Sequence, residues 1–156
     1  MGRSLAGVLA LLLLCVGCAR APGERERGRI DARFVAVVLG AGGGLSEGNL
    51  SALMLAPIGT TNFVCLDAGT VHDGILSAHA RGSFSDVHVP TGQSPVGTIL
   101  RKHLKAYVIS HAHLDHVAGL VLSSTDDGGK PIYSLGSTID AIRDHLFNWS
   151  IWPNFG

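Results

Sequence analysis

The sequence predicts an α/β domain, layered in the α+β manner, in which helices cover one face of a sheet. Apolar runs of strand length come first along the chain, and helical and strand patterns alternate after them. Such a sheet buries one face under its own helices and needs another layer over its other face. We therefore expect one half of a four-layer αββα sandwich, with only the first half present in this chain.

The composition is that of a globular protein with a hydrophobic core. Its 156 residues suffice for one ordinary domain, and 46% of them are hydrophobic while 15% are charged. Lys and Arg balance Asp and Glu in number, and no basic run is interleaved with aromatic residues. We therefore expect no nucleic-acid partner.

Residues 1–18 are predicted to form a signal peptide. Arg3 precedes an apolar run, Ala6–Val16, which is too short to span a bilayer and is followed by polar sequence. The segment Cys15–Cys18 resembles a bacterial lipobox, which makes Cys18 a candidate lipidation site and implies membrane attachment through that lipid. Simple cleavage near residues 19–21 is the alternative. In either case we expect export, as a periplasmic or outer-membrane lipoprotein or as a secreted protein.

Residues 19–32 are predicted to form a flexible tether, because Pro22 and Gly23 stand there among alternating Glu and Arg. The domain proper is expected over residues 33–156. Cys65 is the only cysteine in that range. No disulfide can therefore form within the domain, and its stability must come from packing and from bound metal.

Each element of the domain follows from the spacing of its apolar residues. Apolar runs predict strands at Phe34–Leu39, Ser51–Pro57, Asn62–Leu66, Ala106–Ser110 and Ile132–Tyr133. Helices are predicted at His72–Ala80, Val96–Leu104, Val117–Leu122 and Ser137–Phe147, and the second and fourth of these show helical spacing of their apolar residues. Ser137 is the expected N-cap of the last helix. Asp126 and Asp127 fall in a Gly-rich turn, where we expect solvated side chains.

The segment His111–His116 contains the candidate metal-binding residues. It reads His-x-His-x-Asp-His, and it directly follows a predicted buried strand. Three imidazoles and one carboxylate in six positions suit Zn²⁺ or a similar divalent ion. Isolated histidines are usually ordinary surface or core residues, but this density beside one acid has little structural use without a metal. His111 and His113 can face one ion, and Asp115 and His116 can face a second.

The same segment resembles the signature of the metallo-β-lactamase superfamily. Its continuation through Val117–Ser124 is similar to the more specific signature of the class II cyclic-nucleotide phosphodiesterases, although Thr125 stands where that family has Ala or Pro. The segments Asp67–Thr70, Lys130–Tyr133 and Phe147–Asn154 also resemble that family. The resemblance covers residues 33–156 and implies a metallo-β-lactamase-like fold, with this chain as its N-terminal portion.

The resemblance implies metal-dependent hydrolysis of 3′,5′-cyclic AMP or cyclic GMP, a small-molecule substrate, to the 5′ nucleotide. It implies two divalent ions, with Zn²⁺ as the expected metal. The metal ligands that the resemblance implies are His111, His113, Asp115 and His116. It also makes Asp115 the candidate catalytic residue. Asp67 is expected to orient a ligand or, equally, to serve only as a turn residue.

Members of the superfamily take further ligands from later strands, and no residue after His116 supplies them here. We therefore expect a truncated chain whose metals are under-coordinated and whose own activity is open. Two alternatives remain at this point: a related hydrolase acting on a thioester, a lactam or another phosphodiester, and an inactive fragment.

Overall fold

The computed structural model describes residues 32–154. The signal peptide, Cys18 and nearly all of the tether lie outside the described residues, so those assignments stay predictions. Within residues 32–154, no helix is long and apolar enough to cross a membrane.

In the described part of the chain, five strands form one mixed sheet in the order β1-β2-β3-β4-β5. Their bounds are β1 Phe34–Gly40, β2 Ala52–Pro57, β3 Phe63–Leu66, β4 Leu104–Val108 and β5 Ile132–Tyr133. The first three strands are antiparallel neighbours, whereas β3, β4 and β5 run parallel. Parallel strands need crossover connections, and helices make them here.

Among residues 32–154, four α-helices accompany the sheet. Their bounds are α1 His72–Ala80, α2 Pro95–Thr98, α3 Leu114–Ser123 and α4 Gly136–His145. Helix α2 continues directly into a π-helical turn, Ile99–His103, which leads into β4. This arrangement of a mixed sheet and helices confirms the predicted α/β class.

One face of the sheet is buried under helices. Met54, Cys65 and Tyr107 lie side by side across β2, β3 and β4 and are almost completely buried. Ile75 of α1 and Ile99 of the π-helical turn belong to the same buried cluster. Burying an aliphatic side chain of this size stabilises the fold by roughly 1.5–3 kcal/mol.

The opposite face carries an open apolar row. Val38, Leu53, Leu66, Val108 and Tyr133 pair in register across all five strands. Val38, Val108 and Tyr133 are 51%, 39% and 60% exposed, respectively. This row has the apolar character expected of a face that another layer covers. The second half of the αββα sandwich itself stays a prediction.

Several predicted boundaries differ from the structure by one or more residues, and three of the differences change an interpretation. Strand β4 begins at Leu104, two residues before the predicted start, because Leu104 pairs with Phe63 on β3. Helix α3 begins at Leu114, so Asp115 and His116 lie in its first turn and not in a loop. The prediction that Ser137 caps the last helix is wrong: the N-cap is Leu135 and no side chain caps this end.

The side chain of Asp127, in the Gly-rich turn after α3, is buried in an ion pair with Lys130. The side chains of Lys130 and Asp127 are only 7% and 6% exposed. Asp127 also accepts hydrogen bonds from the Tyr107 hydroxyl at 2.8 Å and from the Gly128 N–H at 2.9 Å. The expectation that Asp127 is solvated is therefore wrong: the turn folds inward because Tyr107 and Lys130 supply its hydrogen bonds.

Helix α3 packs backbone to backbone against the segment that follows β3. The Ala68 N–H donates to the His116 carbonyl at 2.8 Å, and the Gly119 N–H donates to the Gly69 carbonyl at 2.9 Å. A Cβ atom on Gly69 would lie 2.0 Å from the Asp115 carbonyl oxygen, and one on Gly119 would lie 2.7 Å from the Ala68 carbonyl oxygen. Only glycine permits so close an approach at these positions.

We predict that Gly69→Ala destabilises the domain by about 3 kcal/mol, the upper end of the usual cost of overpacking. The clash is with a helix backbone, which cannot move aside as a flexible side chain can. Gly43→Ala is the matched control, since nothing lies within 4 Å of a Cβ atom there, and its effect should stay within about 0.5 kcal/mol. Urea unfolding measures both variants, and equal midpoints would contradict the close packing.

Candidate metal centre

The candidate site lies at the edge of the sheet where β3 and β4 end. Because these two strands are parallel, their carboxyl ends meet at the same edge. Asp67 directly follows β3, and Ser110 and His111 follow β4. The Asp67 N–H donates to the Val108 carbonyl at 2.9 Å, which continues the pairing of the two strands beyond their last residues.

All four predicted ligands lie in one cluster. The ring centroids of His111 and His113 are 4.5 Å apart, and those of His111 and His116 are 4.1 Å apart. Asp115 Oδ2 lies 3.5 Å from His116 Nε2. Asp115 is also in the first turn of α3, where the helix dipole stabilises a negative charge.

The cluster borders the glycine-rich loop that follows β1. A Cβ atom on Gly44 would lie 3.6 Å from the carboxylate of Asp115. The side chains of Asp115 and His116 are 24% and 21% exposed, and His113 is exposed. A small solute can therefore reach the ligands from solvent.

Asp67 connects the three elements of the site. Its Oδ1 accepts hydrogen bonds from the backbone N–H and the hydroxyl of Ser110, each at 2.8 Å. Its Oδ2 accepts one from His116 Nδ1 at 2.8 Å. Burial raises the pKa of Asp67, but the hydrogen bonds from Ser110 and His116 outweigh it and hold that pKa below its usual value. Asp67 therefore fixes the orientation of the His116 ring, while the role of His116 as a metal ligand stays a prediction.

Ser110 fixes the position of the ring proton on a second histidine, His111. Its hydroxyl donates its single proton to Asp67, so the 3.0 Å contact with His111 Nδ1 requires that nitrogen to be the donor. His111 and His116 then both carry their proton on Nδ1, and both keep Nε2 free to bind a metal. Sequence reasoning missed Ser110. The sequence feature that could have revealed it is a hydroxyl residue directly before the first histidine of the motif.

The side chains at this site are of the chemical types that bind divalent metals. Neutral imidazoles with a free Nε2 and one carboxylate are the donors that Zn²⁺ takes. Among residues 32–154, no three His, Cys, Asp or Glu side chains are so placed that they could hold an ion together. The predicted arrangement assigns two of the four ligands to each ion, and the 3.5 Å separation of Asp115 and His116 fits one such pair.

Comparison with known proteins identifies the family. Residues 32–156 match the sequence profile of the class-II cAMP phosphodiesterases. The chain belongs to the class-II cAMP phosphodiesterase family. This membership confirms the resemblance inferred from the histidine motif.

Several relatives carry the corresponding name. The chain is 48% identical over 125 residues to a 3′,5′-cyclic-nucleotide phosphodiesterase of Aliivibrio fischeri, covering 79% of this chain and 38% of the relative. It is 42% identical over 127 residues to a probable 3′,5′-cyclic-nucleotide phosphodiesterase of Yersinia pestis, covering 80% and 37%. The chain thus spans less than two fifths of the length of each of these relatives.

A solved structure supports the fold. The crystal structure of unliganded yeast PDE1 superposes on this chain with a TM-score of 0.61 at 23% identity. The match covers 78% of this chain and 47% of the yeast protein. The fold of the yeast protein therefore extends over most of this chain.

We predict that Ser110→Ala changes the tautomer of His111 and leaves the tautomer of His116 unchanged. Without the hydroxyl, His111 loses the acceptor of its Nδ1 proton and returns to the Nε2–H form that free imidazole favours in water. His116 keeps Nδ1–H, because Asp67 accepts from it directly. Long-range ¹H–¹⁵N correlation spectra of the metal-free chain at pH 8 separate the two forms.

Ser110→Thr is the matched control for this experiment, since it retains a hydroxyl and should leave both histidines in the Nδ1–H form. Finding the wild-type pattern on His111 in Ser110→Ala would refute the role assigned to Ser110.

Proposed function

We propose that this chain supplies part of the active site of a metal-dependent enzyme that hydrolyses 3′,5′-cyclic nucleotides to 5′ nucleotides. Family membership and the names of the relatives support the reaction. The single observation that carries the proposal is the histidine cluster whose Nε2 atoms are freed by Asp67 and Ser110. A purely structural cluster has no need for two histidines fixed in the same tautomer.

We propose two divalent ions, with Zn²⁺ as the metal. His111 and His113 would hold one, and Asp115 and His116 would hold the other. When bound, such ions lower the pKa of a water molecule and neutralise charge that develops on the phosphoryl oxygens.

The residues of this chain orient and position the reactants. Asp67 holds the Nδ1 proton of His116 and fixes the plane of that ring. Asp115 is the proposed catalytic carboxylate: it is held at the start of α3 and accepts a hydrogen bond from the attacking water. As the water oxygen bonds to phosphorus, the bond from phosphorus to O3′ breaks and the released proton neutralises the 3′ oxygen.

A second proposal concerns location. We propose that residues 1–18 direct export and that Cys18 carries a lipid which attaches the protein to a membrane, with the periplasm or the outer membrane as destination. The apolar run before Cys18 and the small Gly17 next to it support this proposal.

We predict that, in a protein that also contains the part by which the relatives exceed this chain, His113→Ala and Asp115→Ala each abolish hydrolysis of cyclic AMP without unfolding it. The loss should exceed about 100-fold, the upper end for a residue that only supports a ligand. Formation of 5′-AMP by chromatography measures turnover, and competition with a chromophoric chelator measures Zn²⁺ affinity. His72→Ala is the control, because His72 is an exposed histidine on α1. Wild-type turnover or undiminished Zn²⁺ affinity in either variant would remove the assignment.

We predict that Cys18→Ser prevents incorporation of labelled palmitate when the full chain is expressed in a bacterium. Cys15→Ser is the matched control, since it changes the neighbouring cysteine of the same segment and should leave labelling intact. Label that persists in Cys18→Ser contradicts lipidation at this residue. An unlabelled, soluble exported product from the unmodified sequence instead supports cleavage near residues 19–21.

A further inference from the structure

The glycine-rich loop between β1 and β2 passes directly beside the candidate metal centre. A Cβ atom on Gly44 would lie 3.6 Å from Oδ2 of Asp115, the proposed catalytic carboxylate. Leu45 is the next residue, and consecutive Cα atoms are only about 3.8 Å apart. The Cα atom of Leu45 therefore lies within about 9 Å of that carboxylate.

Hydrogen bonds at the base of this loop connect it to the elements that hold the site. The Gly42 N–H donates to the Asn49 carbonyl at 2.6 Å, which joins the two ends of the loop. The Leu50 N–H donates to the Thr70 hydroxyl at 2.8 Å. Thr70 belongs to the same short segment as Asp67, which orients His116. The loop that carries Leu45 is thus held against the metal centre by the same segment that orders one of its histidines.

Leu45 contributes no packing to the fold of the described residues. Its relative exposure is 106%, so its side chain is as open to solvent as in an unfolded chain. The other residues from 43 to 48 are glycine, serine and glutamate, which makes Leu45 the apolar residue of that stretch. Burying a leucine side chain is favourable, and the folded chain gains none of that free energy here. An apolar group brought to the site would gain it.

A cyclic nucleotide carries such an apolar surface at a suitable separation from its phosphate. Its phosphate is the group that the proposed metal ions bind, and its base lies one sugar ring away from phosphorus. The faces of the base are aromatic, whereas the sugar and the phosphodiester are polar. Small-molecule sites usually combine a few polar groups with an apolar contact surface. The four proposed ligands supply the polar groups, and Leu45 supplies an apolar contact.

We propose that Leu45 is a specificity-determining residue, which packs against the base of the substrate and gives the enzyme a preference for cyclic phosphates that carry a base. This proposal rests on the proposed hydrolysis of 3′,5′-cyclic nucleotides and adds how the site recognises them. Leu45 contacts no reacting atom. Its contact with the base is the same before and during the reaction, so it strengthens binding and does not accelerate the chemical step.

Steady-state kinetics tests the proposal in a protein that also contains the part by which the relatives exceed this chain. Leu45→Ala should raise KM for cyclic AMP about tenfold and leave kcat unchanged, because it removes an apolar contact made equally in the ground state and the transition state. The second substrate is the 3′,5′-cyclic phosphate of methyl riboside, which has a methoxy group in place of the base. Its kcat/KM should be the same in Leu45→Ala and in the unmodified protein.

Two further variants separate recognition of the base from a structural effect. Leu45→Met keeps an apolar side chain of similar size and should hold KM for cyclic AMP within about twofold of its original value. Leu122→Ala is the matched control, since Leu122 is also an exposed leucine, at 62%, and lies in the last turn of α3. It should alter neither substrate. Urea unfolding of Leu45→Ala should give the wild-type midpoint, because the leucine is exposed.

The possible failures are distinguishable. An unchanged KM for cyclic AMP in Leu45→Ala would refute the contact with the base and leave the proposed reaction intact. An equal loss of kcat/KM for both substrates would assign the effect of Leu45 to the metal centre and would also overturn the proposal. A lack of hydrolysis by the unmodified protein would contradict the proposed reaction itself, and with it the role of Leu45.

Discussion

The candidate site depends on one carboxylate that three separate elements share. Asp67 sits at the end of β3 and accepts hydrogen bonds from Ser110 after β4 and from His116 in α3, which lie 43 and 49 residues away in the sequence. A partly buried carboxylate without these donors would carry a large desolvation cost. The same contacts that satisfy Asp67 therefore hold the histidine motif at the sheet edge and fix which nitrogen is free in the rings of His111 and His116.

The glycines around Asp67 make that arrangement possible. Gly69 and Gly119 let the segment after β3 touch the backbone of α3, and this contact sets the start of the helix close to the ends of β3 and β4. Fold stability and site geometry are consequently coupled, because a side chain at either glycine would push Asp115 and His116 away from Asp67. The family pattern Asp67–Thr70 thus has a steric explanation in addition to its polar one.

The sequence predicted the parts of this molecule that depend on local pattern. The strands follow from runs of apolar residues, and the histidine cluster follows from the density of histidines in one short segment. Contacts between distant residues left no such signal. The first turn of α3, the role of Ser110 and the burial of Asp127 depend on which strand ends and side chains meet in space, and the inward turn at Asp127 depends on Tyr107, 20 residues earlier.

The open apolar row and the histidine cluster meet at the same strand ends. Leu66 and Val108 are partners in that row, and the residues that follow them, Asp67 and Ser110, direct the tautomers of His116 and His111. A layer that packed over the row would exclude water beside Asp67, and a lower local dielectric strengthens each of its hydrogen bonds. Covering the apolar face would therefore also stiffen the orientation of His111 and His116. Packing on one face of this sheet and the proposed metal affinity at its edge would then be a single coupled property of the fold.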